Sequence, residues 1–189
     1  MFNVQYNKVL LHSCCAPCSA AIIECMLKNG IRPTIFYYNP NIYPREEYEI
    51  RKAEAIRFVT AQGLDFVDAD YDYERWREAV VGLEQEPERG KRCLQCFTLR
   101  LTETAKYGVE HGFDAFTTTL ASSRWKSLEQ IERAGHLAEQ AVEGTCFWAQ
   151  NWRKGGLYER RNQLLKDFGF YNQQYCGCEF SMRAVDKDK

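Results

Sequence analysis

Cysteine is the residue type in this chain with the widest scope for chemistry. The chain has nine cysteines in 189 residues. Seven of them stand in three short groups: Cys14, Cys15 and Cys18; Cys93 and Cys96; and Cys176 and Cys178. Thiolates bind zinc and iron-sulfur clusters, and neighbouring thiols exchange electrons by forming disulfides. The spacing therefore predicts metal binding, redox chemistry, or both.

The first two groups favour an iron-sulfur cluster over a zinc ion. Cys93-Leu-Gln-Cys96 has the spacing of a zinc knuckle, or of an ordinary buried pair on one helix face. Cys14 and Cys15 suit one small ion less well, because adjacent side chains tend to diverge. A cluster spreads several irons over a wider body and accepts both thiolates. Cys18 follows as either a third ligand or a packing residue at a helix start.

Cys176 and Cys178 have a different chemistry, because two thiols one residue apart close only a small strained ring. Gly177 between them makes that ring feasible, and strained disulfides are easily reduced. The pair therefore predicts a redox-active dithiol, with two more metal ligands as the alternative. Cys25 and Cys146 stand alone in apolar segments and are expected to be small buried hydrophobes.

The composition predicts one cytoplasmic domain over residues 1–189. Hydrophobic residues make up 45% of the chain, and 25 basic residues nearly balance 26 acidic ones. Any nucleic-acid surface must then be a local patch. The chain has no apolar run near the ~18 residues of a membrane span, and its start lacks a signal-peptide pattern. An odd number of cysteines in a reducing compartment argues against a disulfide scaffold.

Strand and helix patterns alternate along most of the chain. KVLLHS, PTIFYYN, LDFVDAD, AFTTTL and TCFWA read as strands, and amphipathic stretches separate them. Ser127 and Gln130 have capping-box spacing and predict a helix start. The prediction is an α/β fold with a mostly parallel sheet flanked by helices, followed by an appended helical, cysteine-containing subregion over 150–189.

Polar motifs follow each of the first four predicted strands. Ligands gather at the carboxyl ends of parallel strands, where loops converge. The motifs are His12-Ser13-Cys14-Cys15, Asn39-Pro40-Asn41, Asp70-Tyr71-Asp72, and Thr117-Thr118-Thr119 with Ser122-Ser123. The sequence thus predicts a site at this edge of the sheet.

Four segments together resemble the epoxyqueuosine reductases of the QueH type: HSCCAPCS, RCLQCFTLRL, TTTLASSRWKS and YCGC. The resemblance implies a fold like the adenine-nucleotide alpha-hydrolase and ATP-pyrophosphatase (HUP) domains. It implies a cytoplasmic iron-sulfur enzyme that removes the epoxide oxygen of epoxyqueuosine in the tRNA anticodon loop, the last step of queuosine biosynthesis. An electron donor, unidentified from the sequence, completes the reaction.

The resemblance also assigns roles to individual residues. It makes Cys14, Cys15, Cys93 and Cys96 ligands of a 4Fe-4S cluster and makes Cys176 with Cys178 the redox-active pair. It implies an additional iron held partly by cysteine and aspartate, for which Asp70 and Asp72 are candidates by their strand-end position, with helix capping as the alternative. Apart from the resemblance, His12, Tyr71 and Tyr175 are candidate proton donors by residue type and by their position beside site motifs, with a structural role as the alternative for each.

A basic segment near the end of the chain fits the RNA substrate. Residues 151–166 hold five basic side chains and one acid, interleaved with Trp152 and Tyr158, whereas 65–88 is strongly acidic. The candidate RNA contacts are Arg153, Lys154, Arg160 and Arg161, joined by Arg124-Trp125-Lys126. A solvated helix face is the alternative for 151–166.

Three other functions compete with this prediction. A zinc-stabilised RNA-binding module without catalysis stays open. An ATP-pyrophosphatase that modifies tRNA is disfavoured, because Ser13-Cys14-Cys15-Ala16-Pro17 replaces the Gly-rich phosphate loop and proline removes an amide. A cobalamin-dependent reductase is disfavoured because the chain lacks an Asp-x-His-x-x-Gly motif.

Overall fold

The computed structural model describes residues 6–185, so part of the segment considered for a signal peptide lies outside the described residues. Its centre is a four-stranded parallel sheet in the order β3-β2-β1-β4. The strands are β1 (Val9–His12), β2 (Thr34–Tyr37), β3 (Phe66–Asp68) and β4 (Ala115–Thr118). The predicted α/β class with a parallel sheet is confirmed; the likeness to HUP domains stays a prediction.

Helices cover the sheet because their apolar faces need partners. They are α1 (Ala16–Lys28), α2 (Arg45–Ala61), α3 (Tyr73–Ala79), α4 (Lys91–Glu110), α5 (Leu128–Ala141), α6 (Leu157–Asp167) and α7 (Glu179–Val185), with a 3₁₀ turn over Thr119–Ser122. β1 is wholly buried, and its Leu11 lies between Ile35 of β2 and Thr117 of β4. None of the described helices is long and apolar enough to cross a membrane.

The helix predicted from its capping residue is confirmed as α5. The Gln130 amide donates to the Ser127 hydroxyl at 3.2 Å. The Gln130 side chain does not return to Ser127 but donates to the Arg89 carbonyl at 2.8 Å. The cap therefore also ties the start of α5 to the loop before α4.

The strand predicted from TCFWA is wrong. Phe147 forms only an isolated bridge with Phe116 of β4. The Ala149 amide donates to the Phe147 carbonyl at 3.0 Å, which is the two-residue spacing of a tight γ-turn. The chain turns away at that point, so the ladder cannot continue.

The last part of the chain holds two helices, α6 and α7, which pack against different elements. α6 packs against α1. Phe180 of α7 joins Trp76, Val80 and Cys96 in a small apolar cluster. Between these helices, the Gly177 carbonyl accepts a hydrogen bond from the Tyr43 amide at 2.8 Å.

Candidate functional site

Three thiols meet where β1 passes into α1. The sulfur atoms of Cys14, Cys15 and Cys18 lie within 4.8 Å of one another, and those of Cys14 and Cys15 are 3.8 Å apart. Cys15 is the extended N-cap residue of α1, with φ −175° and ψ 160°, and Cys18 lies in the first turn. The expectation that adjacent cysteine side chains diverge is wrong here, because the sulfurs of Cys14 and Cys15 both lie within 4.8 Å of that of Cys18.

These three thiols share hydrogen bonds, and one of them is set up to ionise. Hydrogen bonds from Cys15 and Cys18 hold the pKa of Cys14 well below its ordinary value, and the Lys126 ammonium adds to this effect. The hydrogen bond with Cys14 raises the pKa of Cys15 well above the ordinary value and that of Cys18 to about 11. The group therefore holds one thiolate in preference to three. Thiolate sulfur is a ligand that soft metal ions prefer.

The threonines at the end of β4 hold this part of the chain in place. The Cys14 amide donates to the Thr119 hydroxyl oxygen at 3.0 Å, and that hydroxyl lies 3.3 Å from the Cys14 sulfur. The hydroxyl oxygen of Thr118 lies 2.8 Å from Nδ1 of His12. The polar strand-end residues of β4 thus position the cysteine loop.

His12 is a structural residue in this arrangement. It is completely buried, and its Nε2 donates to the Tyr38 carbonyl at 3.2 Å while Nδ1 accepts from Thr118. Burial and then the charge of Arg100 lower the pKa of His12 to about 3, so the ring is neutral.

The other two candidate proton donors are also engaged by the backbone. The Tyr71 hydroxyl donates to the Ile42 carbonyl at 2.6 Å. The Tyr175 hydroxyl donates to the Tyr43 carbonyl. Each would have to leave its carbonyl to donate a proton to a substrate.

The three thiols face a cavity of about 750 Å³, here called the main cavity. Its basic lining residues are Arg51, Arg100, Lys126 and Arg161, and one carboxylate, Glu88, is found among the described lining residues. Cys176 also lines it. This volume is that of a small-molecule site, and the charge balance favours an anionic ligand.

The later cysteines surround a second, small cavity of about 30 Å³ beside the main one. Cys93, Cys176 and Cys178 line it, so Cys176 borders both cavities. Burial raises the pKa of Cys93 to about 12 and that of Cys178 to about 11. Cys96 is buried beside Trp76 in the cluster with α7.

The structure gathers Cys14, Cys15 and Cys18 but does not place Cys93 or Cys96 in that compact group. All nine cysteines are free thiols, Cys176 and Cys178 included. The ligand set Cys14, Cys15, Cys93 and Cys96 and the redox pair stay predictions.

The two aspartates offered for an additional iron lie elsewhere. Asp72 caps α3, accepting from the Arg75 amide at 3.3 Å, and Asp70 is exposed. Neither is among the described residues that line the two cavities. This arrangement favours helix capping for Asp72.

The predicted basic patch is only partly free to bind RNA. Arg160 forms two hydrogen bonds with Glu24 of α1, at 2.7 and 2.8 Å, which offset its charge. Arg153 donates to the Lys126 carbonyl at 2.9 Å. Trp152, expected between the cations as a stacking aromatic, is 2% exposed and belongs to the core. Lys154 is exposed and Arg161 lines the main cavity.

Sequence reasoning missed Arg51 and Arg100. Arg100 is four residues after Cys96, which places both on one face of the predicted helix and was a usable signal. Arg51 donates to the carbonyls of Tyr175 and Cys176 at 3.2 and 3.3 Å. Those partners are more than a hundred residues away, so no local pattern indicated the contact.

Together, fold and site define an α/β protein with a thiol-lined, cation-rich ligand cavity at the carboxyl edge of its parallel sheet. Comparison with known proteins narrows this class. The family model described as "Epoxyqueuosine reductase QueH" matches residues 9–184. The chain belongs to that family.

Curated relatives with the same printed name match nearly all of this chain. Those of Histophilus somni and Haemophilus influenzae are each 48% identical over 182 residues, covering 96% of this chain and 75% and 74% of the relatives. That of Acinetobacter baylyi is 46% identical over 181 residues, covering 96% of this chain and 83% of the relative.

Proposed function

We propose that this chain reduces the epoxide of epoxyqueuosine in a tRNA anticodon loop to give queuosine. Family membership over residues 9–184 supports the reaction. The observation that carries the proposal is the main cavity, where the thiols of Cys14, Cys15, Cys18 and Cys176 line a space large enough for one modified nucleoside.

The thiol groups fit an iron-sulfur cofactor. We propose that Cys14 and Cys15 hold a 4Fe-4S cluster with Cys93 and Cys96, and the compact trio adds Cys18 as a ligand candidate. When bound, such a cluster supplies single electrons and a Lewis-acidic iron. The chain's own part is to shield the thiolates from water and to balance their charge with Lys126 and Arg100.

The dithiol provides a balanced source of electrons. Reduction of an epoxide to an alkene and water consumes two electrons and two protons. Oxidation of Cys176 and Cys178 to one disulfide releases the same number of each. Cys176 is exposed and borders both cavities, so it can meet a substrate on one side and Cys178 on the other. A separate electron donor then restores the dithiol.

The cofactor is tested by metal analysis of protein purified without oxygen. We expect about four irons with matching sulfide per chain and a brown colour. Cys14→Ser should lose the cofactor, and Cys25→Ser, a half-buried thiol on α1 away from the cavity, should keep it.

One zinc and no sulfide would favour the zinc-stabilised RNA-binding module instead. The 3.8 Å separation of the Cys14 and Cys15 sulfurs is the observation that supports a zinc site. Two thiolates on one tetrahedral zinc, at about 2.3 Å from the metal, stand at about that separation.

The dithiol is tested by turnover on tRNA that carries epoxyqueuosine. Cys176→Ser and Cys178→Ser should each abolish multiple turnover while leaving iron and sulfide content unchanged, and Cys25→Ser should be fully active. Full multiple turnover in both serine variants would remove the dithiol from the mechanism.

A further inference from the structure

Trp125 is an aromatic side chain held out in solvent at the rim of the site. It is 80% exposed, whereas Trp76, Trp148 and Trp152 are 1%, 9% and 2% exposed. Among the described residues it is the most exposed large apolar side chain. An indole exposed to water has a large apolar surface, and stacking against a planar partner lowers the free energy by burying that surface.

Its loop is fixed by hydrogen bonds to three successive carbonyls. Arg89 donates to the carbonyls of Arg124 and Trp125 at 3.2 and 2.8 Å, and Arg153 donates to that of Lys126 at 2.9 Å. The next residue, Ser127, caps α5. The backbone that carries the indole is therefore held in place, which lowers the entropy cost of binding a partner.

The surroundings of Trp125 are mostly cationic, with one carboxylate, Glu88, among the described residues that line both cavities. Trp125 and Lys126 line both cavities. The Arg124 guanidinium lies 3.7 Å from the centre of the Tyr158 ring, and Arg161 lines the main cavity on the same side as Cys18. A single exposed ring among cations matches a ligand that combines planar faces with negative charge. Single-stranded RNA has both.

We propose that Trp125 is the stacking platform for an unpaired base of the anticodon loop, next to the nucleotide that enters the main cavity. This inference rests on the proposed tRNA function. Stacking on the indole holds the loop open at the mouth of the cavity, and the nearby cations hold its phosphates. Trp125 is thus a binding residue that contacts the RNA beside the reacting nucleotide.

Tryptophan fluorescence tests the contact directly, because Trp125 is the exposed one of four tryptophans. Acrylamide should quench a fluorescence component that Trp125→Phe removes. A synthetic anticodon stem-loop RNA with guanosine at the wobble position should protect that component from acrylamide. A fully paired RNA duplex with the same stem should not protect it, since it offers no unpaired base.

Affinity for the same stem-loop gives the second measurement. Trp125→Ala should weaken binding of the stem-loop on the order of tenfold. Trp125→Phe should weaken it less, because phenylalanine keeps an aromatic ring for stacking. The salt dependence of binding should stay as in the wild type, because stacking neutralises no phosphate. Val109→Ala is the matched control, because it truncates an exposed apolar side chain near the C-terminal end of α4. This variant should bind the stem-loop with wild-type affinity.

The outcomes separate this inference from the proposed function. If the wild type binds the stem-loop and Trp125→Ala binds it equally well, the stacking role is overturned and the tRNA function stands. Protection of Trp125 by the duplex would also overturn it. If the wild type binds neither RNA, the tRNA function and the stacking role both fail.

Discussion

Arg100 shows how one buried residue joins separate parts of the site. It is 3% exposed and donates to the side-chain oxygen of Asn39 and, at 3.4 Å, to the Tyr38 carbonyl. Asn39 in turn donates to the Ser13 carbonyl at 2.9 Å. The helix of Cys93 and Cys96 is thereby tied to the loop that follows β2 and to the loop of Cys14 and Cys15.

Replacing Arg100 should show this tie as a coupling energy. Arg100→Met leaves the buried Asn39 oxygen without its donor, so we expect the free energy of unfolding to fall by about 1–3 kcal/mol in urea titrations. Asn39→Ala then completes a double-mutant cycle. The free energy of unfolding of the double variant should fall by less than the sum of the two single-variant decreases. Arg45→Met, whose side chain is 71% exposed, is the control and should change stability by less than about 0.5 kcal/mol. Simple additivity in the cycle would contradict the tie.

Element packing around α5 depends on a glycine. A Cβ at Gly135 would lie 2.2 Å from the Phe147 ring, so the helix and the segment after it meet without a side chain between them. Phe147 bridges to Phe116 of β4. This close approach sets where α5 lies relative to the sheet, and therefore where the loop of Trp125 ends.

Two helical glycines give a matched test of that packing. Gly135→Ala should lower the free energy of unfolding by about 1–3 kcal/mol, since the clash outweighs the better helix propensity of alanine. Gly108→Ala on α4, whose Cβ would lie 3.8 Å from Leu10, should be neutral or stabilising by up to about 1 kcal/mol. Equal effects of both substitutions in thermal or urea unfolding would show that the Phe147 contact does not matter.

At the scale of the whole molecule, the Cys176–Cys178 turn is bound to α2 and to the loop before it. Arg51 is 2% exposed, pairs with Glu47 at 2.7 Å, and also holds the carbonyl of Cys176. Gly177 has φ +129°, and a Cβ there would lie 3.1 Å from Arg51. These contacts bring the last cysteines to the edge of the sheet where the first ones lie.

Gly177→Ala should therefore loosen this end of the molecule. Alanine disfavours this φ, and its Cβ would crowd its neighbours. We therefore expect the free energy of unfolding to fall by about 1–3 kcal/mol and the amides of 174–181 to exchange hydrogen faster. Gly169→Ala is the control: its φ is also positive, at +57°, but a Cβ there meets nothing within 4 Å. Gly169→Ala should lower the free energy of unfolding by about 1 kcal/mol or less, and the amides of 174–181 should not exchange faster. Identical exchange in the two variants would contradict the anchoring role of Gly177.

Local patterns predicted most of the fold. Apolar runs such as KVLLHS and PTIFYYN became the parallel strands β1 and β2, and Ser127 does start a helix. The segment TCFWA had the same β-forming residue types but forms one bridge only. Whether a short apolar segment joins a ladder depends on the turn that follows it and on the free edge beside it, which periodicity does not report.

The sequence by itself determined the chemistry of this protein: three groups of thiols, a parallel sheet to carry them, and a family resemblance that the comparisons confirm. Only the tertiary structure decided which side chains face the site. It brought Cys18 to Cys14 and Cys15, paired Arg160 with Glu24, buried Trp152 and left Trp125 exposed. Residue type and spacing set what a side chain can do, but its neighbours come from distant segments, and burial and charge pairing follow from those neighbours.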